Sequence, residues 1–303
     1  MQYIYLRPIF ENPFISIESS LNHLNFALLV LSTVLVAGAG YIINDYFDVK
    51  ADEINKPHRI IIDRHISRRS AIRWHTVFNF VAIVIGFYLG YKIGCWWLGF
   101  IHLGVTVMLW TYSTFLKKQA LVGNLLISIM TALVVMMVWW YEPNLENVLK
   151  EKSSLLYQDL YAFFWGYAGF AFLLTFIREL VKDMEDIQGD QQDGGYTLPI
   201  VWGIHKTKRL TSVLVVVCML CLLKYQVNEG ILFVEQTGGS FFAAPMTRLL
   251  FTFVQLPLFF MLILLQKADK PSDFKRISNV VKLIMLIGIL LLFYFYGINT
   301  GMI

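Results

Sequence analysis

Charge is scarce in this chain. Asp, Glu, Lys and Arg together supply 15% of its 303 residues, while hydrophobic residues reach 57%; soluble domains carry about 25% charged residues. That balance excludes a water-soluble globule of this length. Cysteine is scarce too. Of three cysteines, Cys218 and Cys221 form a C-x-x-C inside an apolar run with no further Cys or His at ligand spacing, so they read as small packing groups rather than a zinc or redox pair. The six histidines (His23, His58, His65, His75, His102 and His205) show no ligand spacing either. No low-complexity tract or polar linker divides the chain, and no leader with a cleavage site is expected. A net charge of +4 calls for no nucleic acid.

Long apolar runs are what the chain has in plenty. Stretches long enough to cross a hydrocarbon layer of about 30 Å lie at about 22–43, 72–92, 95–115, 121–141, 159–181, 210–225, 246–266 and 277–298. Residues 3–17 are apolar and aromatic but broken by Pro8 and Pro13, which permits a partial or interfacial helix. These runs predict an all-α, polytopic membrane bundle of eight to nine transmembrane helices. It forms a single domain over 1–303 with two helical halves, about 1–141 and 159–303.

If the spans alternate, seventeen Lys and Arg fall on one face and five on the other. Such a bias marks the first face as cytoplasmic, in an integral protein of the inner (plasma) membrane. The same face receives a repeated acidic spacing, Asp-x-x-Asp-x-x-x-Asp. Asp45, Asp48 and Asp52 form the first copy and Asp183, Asp186 and Asp190 the second, 138 residues later. On a helix such steps keep all three carboxylates within about 60° of one another. Each copy is then a one-sided carboxylate face, and closely packed carboxylates raise one another's pKa unless a cation neutralises them.

Water-facing acids at span ends are commonplace, but the first copy sits toward a helix C-terminus. There the macrodipole disfavours each carboxylate by about 0.3–1 kcal/mol. A hard divalent cation explains the accumulation better. Magnesium suits it, because it binds through one or two carboxylates and is completed by substrate phosphates. Calcium would want a denser acidic loop, and no EF-hand spacing is present. Two facing clusters, each holding one Mg²⁺, would grip a diphosphate between them. Asp45, Asp48, Asp183 and Asp186 are the principal expected ligands and catalytic groups, with Asn44, Asp52 and Asp190 in support.

Asn44-Asp45-x-x-Asp48-x-x-x-Asp52, followed by Glu53-Ile54-Asn55-Lys56-Pro57-His58-Arg59, and then Asp183-x-x-Asp186-x-x-x-Asp190, resemble the paired signature of the UbiA superfamily of intramembrane prenyltransferases. The resemblance runs from about Leu21 to the last span. It implies a helical bundle around a central cavity, capped on the cytoplasmic side by the motif-bearing loops, with Mg²⁺ holding a polyprenyl diphosphate at the cap. Diphosphate leaves carbon readily once metal ions neutralise it. The allylic cation left behind is protected by a dry, aromatic-lined cavity, and the chain supplies 24 Phe, 15 Tyr and 8 Trp. Lys56, Arg59, Lys117, Arg178 and Lys182 are expected near diphosphate oxygens, although the same cations also satisfy the positive-inside bias.

For the acceptor, residues 178–190, Thr197-Leu198-Pro199-Ile200, and Tyr112 to Lys117 with Gly123-Asn124 resemble the digeranylgeranylglyceryl phosphate synthase-like branch. This implies alkylation of a lipid-type hydroxyl, as on geranylgeranylglyceryl phosphate. Aromatic-acceptor members, the alternative, tend to carry Tyr-x-x-x-Lys; here four residues separate Tyr112 from Lys117. The chain also departs from the family at Ile60, where Pro is usual, and through residues 61–67. A first helix shorter than a nine-span pattern needs is expected at the N-terminus. The rival class, an ion-coupled transporter, places ionisable groups near the bilayer midplane, whereas both acidic triads here sit at span boundaries.

Overall fold

The computed structural model describes residues 6, 18–55, 57–152 and 154–299. The expected interfacial segment at 3–17 and the site residue Lys56 therefore lie outside the described residues. Among those described, eleven α-helices follow one another: α1 His23–Asn55, α2 Arg68–Lys92, α3 Gly99–Thr114, α4 Val122–Trp140, α5 Pro143–Lys152, α6 Ser154–Gln192, α7 Leu198–Trp202, α8 Ile204–Thr237, α9 Pro245–Leu250, α10 Leu256–Lys267 and α11 Pro271–Asn299. Among the described residues seven stretches are long and apolar enough to cross a membrane, one of them joining α9 and α10 through the π-helical turn Phe251–Gln255. The run expected at 95–115 is the shorter α3, preceded by the 3₁₀ turn Trp96–Leu98. This is an integral membrane protein of all-α fold.

Three helices outrun the spans read from hydropathy. At about 1.5 Å per residue, the 33 residues of α1 extend about 50 Å, well past a hydrocarbon layer of about 30 Å. The helix continues beyond Ile43 through the whole first acidic motif and stops at Asn55, two residues before Pro57, whose ring disfavours helix just upstream. The 39 residues of α6 carry the second motif in the same way. Helix α8 extends the run expected at 210–225 to 204–237, because its polar ends at Lys206, Lys208, Arg209, Lys224 and Glu229 continue the helix outside the apolar stretch.

The chain falls into two compact units. The first comprises Met1–Gly169 with Gln188–Thr197, and the second Phe170–Ile187 with Leu198–Ile303. In the first unit α1, α2 and α3 pack closely at small residues, as membrane helices do. A Cβ at Gly40 would lie 3.1 Å from Leu109, and one at Gly86 would lie 2.5 Å from the His102 ring. Polar ties cross the same interface. His75 Nδ1 lies 2.9 Å from the Ala39 carbonyl and its Nε2 lies 3.1 Å from the Asn79 amide, whose oxygen accepts from Thr106 Oγ1 at 3.1 Å. One tautomer satisfies every partner: the proton on Nδ1 is donated to Ala39, and Nε2 accepts from Asn79. The loop before α2 is anchored by buried Ile60 and Ile62. It turns at Asp63, whose φ of 69° is left-handed, and Asp63 accepts from Arg68 Nε at 2.8 Å.

In the second unit the core gathers Val215, Cys218, Leu258, Met261, Phe274, Ile277 and Val281. The Cys218 thiol is thus a core group, as its apolar surroundings in the sequence imply. Pro257 lacks the N–H that would continue the helix ladder, and the π turn just before it carries Gln255. Gln255 Nε2 donates to Gln226 Oε1 at 2.8 Å, and Thr247 Oγ1 donates to the Gln226 carbonyl at 3.2 Å. Lys208, buried to 6% exposure, donates to the carbonyls of Gln266 and Ala268 at 2.9 and 2.8 Å. It thereby covers the partial negative charge where α10 ends. Replacement by Met leaves those carbonyls without the ammonium, so Lys208→Met is expected to cost about 1.5–3 kcal/mol, read as a lower unfolding midpoint of the detergent-purified protein.

Candidate active site

The first acidic motif is built on the overhanging end of α1. Asp45 is exposed, while Asn44, Asp48 and Asp52 are half-buried. Asn44 Nδ2 donates to Asp48 Oδ2 at 2.7 Å, and the ammonium of Lys117 donates to Asp48 Oδ1. Both oxygens of Asp48 are therefore engaged, one by an amide and one by a cation. Asn44 Oδ1 is buried with no hydrogen-bond partner. Buried polar atoms without partners are rare and call for an explanation such as an ion. A neutral amide oxygen beside a carboxylate is a donor pair that a hard cation favours, so the residues present fit the magnesium expectation. Among the described residues no three His, Cys, Asp or Glu side chains gather closely enough to form a ready-made metal cage. Protein donors here would be few, leaving positions for water and substrate oxygens, which is how magnesium is commonly held.

Lys117 reaches Asp48 because the chain breaks just before it. Helix α3 ends at Thr114, Phe115 adopts φ −147° and ψ −30°, and Leu116–Lys118 form a 3₁₀ turn. Tyr112 and Lys117 therefore do not share one helix, and their separation in sequence cannot be read as helical spacing. Gly123 permits this turn to lie against α4. A Cβ there would fall 2.8 Å from Lys117 Cα, 2.9 Å from the Leu116 carbonyl oxygen and 3.2 Å from the Tyr112 ring. Tyr112, Lys117 and Gly123 are thus packed together.

The second motif lies on α6, where Asp186 is buried at 8% exposure and Asp183, Asp190 and Lys182 are half-buried. Glu179, which sequence reasoning passed over, is buried at 5% exposure and pairs with Arg178. It stands four residues before Asp183, so helical geometry puts it on the acidic face one turn earlier. The i−4 spacing was the available signal. Arg59 closes the 3₁₀ turn Pro57–Arg59.

Within the first unit the ends of the two motif helices meet. The Gly189 N–H donates to Asn55 Oδ1 at 3.0 Å. A Cβ on Gly189 would lie 2.3 Å from Asn55 Nδ2 and 2.7 Å from the Ala51 carbonyl oxygen. This junction puts Asp52 and Asp190 on adjoining helix turns. The Lys117 turn is tied to the same region. Lys118 Nζ pairs with Asp193 Oδ2 at 2.7 Å and donates to the Asp193 carbonyl at 3.0 Å, and the Tyr196 N–H donates to the Lys118 carbonyl at 2.6 Å.

A family model for the UbiA prenyltransferase family matches residues 14–286. The chain belongs to the UbiA prenyltransferase family. Among its relatives, digeranylgeranylglyceryl phosphate synthase of Methanosphaera stadtmanae is 31% identical over 200 residues, 65% of each chain. The chain spans a little under two thirds of the length of the first curated relatives it matches, 65%, 66% and 58%. A solved structure of a digeranylgeranylglyceryl phosphate synthase superposes with a TM-score of 0.58 at 21% identity, covering 91% of this chain and 87% of that one. A UbiA homologue from Archaeoglobus fulgidus, bound to DMAPP and Mg²⁺, superposes with a TM-score of 0.52 at 14% identity, covering 89% and 90%. These structures share the UbiA fold with this chain.

In this UbiA chain the junction at Gly189 has no room for a side chain. Gly189→Ala is expected to force Asn55 or the α1 backbone aside at a cost of about 1–3 kcal/mol. The measurement is the unfolding midpoint, with Gly194→Ala as a comparison, since no atom lies within 4 Å of a Cβ built there and its φ of +71° makes backbone strain the sole cost.

Proposed function

We propose that this chain transfers a polyprenyl group from a polyprenyl diphosphate to a hydroxyl on a membrane-soluble acceptor resembling geranylgeranylglyceryl phosphate, with two Mg²⁺ held at its acidic faces. The observation that carries the proposal is the Asn44/Asp48 pair, where a buried amide oxygen without a partner stands beside a carboxylate neutralised by an ammonium. The names of the relatives support the acceptor class, and the DMAPP and Mg²⁺ bound to the A. fulgidus homologue support the donor and the ion.

In this reading Asn44, Asp45 and Asp48, with Asp52 in support, hold one ion; Asp183 and Asp186, with Asp190, hold the other. The ions would neutralise the diphosphate as its bond to the allylic carbon breaks. Lys117, Lys182, Arg178, Arg59 and Lys56 supply further positive charge for the departing oxygens, and Tyr112 takes a substrate-contacting position beside Lys117. Apolar helix walls exclude water, so the allylic carbon is captured by the acceptor hydroxyl, which loses its proton as the new C–O bond forms. The basic bias supports a mouth on the cytoplasmic side of the cell membrane.

Asp45→Ala and Asp183→Ala are each expected to reduce prenyl transfer by at least about 10²-fold, the scale for losing a group that stabilises developing charge, with near-normal expression and detergent extraction. Full activity in both variants defeats the assignment. A radiolabelled prenyl diphosphate offered with a panel of acceptors is expected to label prenylated glycerol phosphates and leave aromatic acids unlabelled. The reverse pattern would move the chain to aromatic prenylation.

A further inference from the structure

We propose that Lys117 is a resident counter-ion: it occupies Asp48 while the site is empty of metal and yields that carboxylate when an ion and a diphosphate arrive together. The inference rests on the reading of Asn44 and Asp48 as cation ligands and goes beyond it, since it concerns how loading is controlled.

Two neighbouring lysines in one turn are held in different ways. Lys118 is fixed to the segment after α6 through the Asp193 carboxylate and main-chain carbonyl, and its own carbonyl accepts from Tyr196. Lys117 instead ends on the Asp48 carboxylate, with 11% of its side chain exposed and 22% of that of Asp48. Helix α1 offers no cation of its own before Lys50. A poorly hydrated carboxylate left without a positive partner is costly, so the ammonium neutralises Asp48 before any ion is bound.

An ion coordinated by Asn44 Oδ1 and Asp48 would stand a few ångströms from that ammonium. Like charges at such a distance repel strongly where water is sparse. The lysine head sits on a flexible four-carbon stem with three rotatable donors, so it can turn away without movement of the 3₁₀ turn. An ion arriving alone strips Lys117 of its anion and returns nothing. An ion arriving with a diphosphate supplies phosphate oxygens in exchange. Binding of the two is thereby coupled, and coupling is reciprocal: each ligand tightens the other by the same factor. Removing the ammonium therefore strengthens binding of the ion alone and shrinks the coupling.

The test uses the full chain purified in detergent, with Mn²⁺ as the probe, free ion counted by electron paramagnetic resonance and no diphosphate present. Lys117→Gln is expected to bind Mn²⁺ about 10-fold more tightly than wild type, a size typical of such coupling. Lys117→Arg, which keeps the charge, is expected to bind Mn²⁺ no more tightly than wild type, and Lys118→Gln, which removes a charge one residue away, is expected to stay near wild type. Mn²⁺ affinity in Lys117→Gln equal to or weaker than wild type overturns the proposal. A second readout needs no variant. Pyrophosphate and Mn²⁺ together are expected to raise the wild-type unfolding midpoint by more than the sum of their separate shifts, and additive shifts overturn the coupling. Asp48→Asn separates this from the underlying reading. Mn²⁺ binding unaffected by Asp48→Asn removes the metal site itself, whereas binding lost in Asp48→Asn but unchanged in Lys117→Gln removes the counter-ion alone.

Discussion

A carboxylate placed where apolar helices leave the hydrocarbon must be neutralised, and much of the polar architecture of this chain answers that demand. The two acidic motifs answer it differently. Helix α6 carries its own cations, Arg178 and Lys182, within one or two turns of Asp183 and Asp186, and Arg178 already pairs with buried Glu179. Helix α1 has no basic residue between His23 and Lys50, so Asp48 takes its positive partner from the turn between α3 and α4. Asp48 is thus neutralised through tertiary structure, whereas the second motif has cations close by on its own helix.

That difference explains why the Leu116–Lys118 turn is so firmly set. Gly123 lets it lie directly on α4, and Lys118 and Tyr196 bind it to the chain that leaves α6. Gly189 meanwhile brings the end of α6 against Ala51 and Asn55 of α1. Both glycines stand where a Cβ would intrude on backbone, so each contact depends on the missing side chain rather than on conformational freedom. Through these contacts a shift in either helix end or in the turn is transmitted to the residues around Asp48, Asp52 and Asp190.

The helical spans were legible because apolar runs of this length have no other stable use, and the same-face placement of each triad was legible because helical period alone decides it. The overhangs of α1, α6 and α8 were not. Hydropathy falls where a helix enters water, yet the hydrogen-bond ladder continues until something such as Pro57 stops it. The pairing of Lys117 with Asp48 joins residues 69 apart, and no periodicity reports contacts between helices. The contact of Lys117 with Asp48 depends on the chain leaving the helix at Phe115, which the Tyr112 to Lys117 spacing does not report. Glu179 was hidden by its neighbours, since a lone acid at a span end reads as solvated until its burial is seen.

A lysine suits position 117 better than an arginine would. A guanidinium fork binds a carboxylate through two parallel hydrogen bonds, a grip that an incoming ion would struggle to break, and its planar head does not turn as freely as an ammonium. An ammonium neutralises Asp48 with a single contact and leaves Asn44 to satisfy the other oxygen. The orphaned Asn44 Oδ1 follows from this arrangement. Turning the amide so that its oxygen faced Asp48 would bring two acceptors together, so the amide donates to the carboxylate and its oxygen is left pointing where no protein donor reaches. The hydrogen bond that orients Asn44 is therefore the same interaction that presents a bare oxygen for a cation.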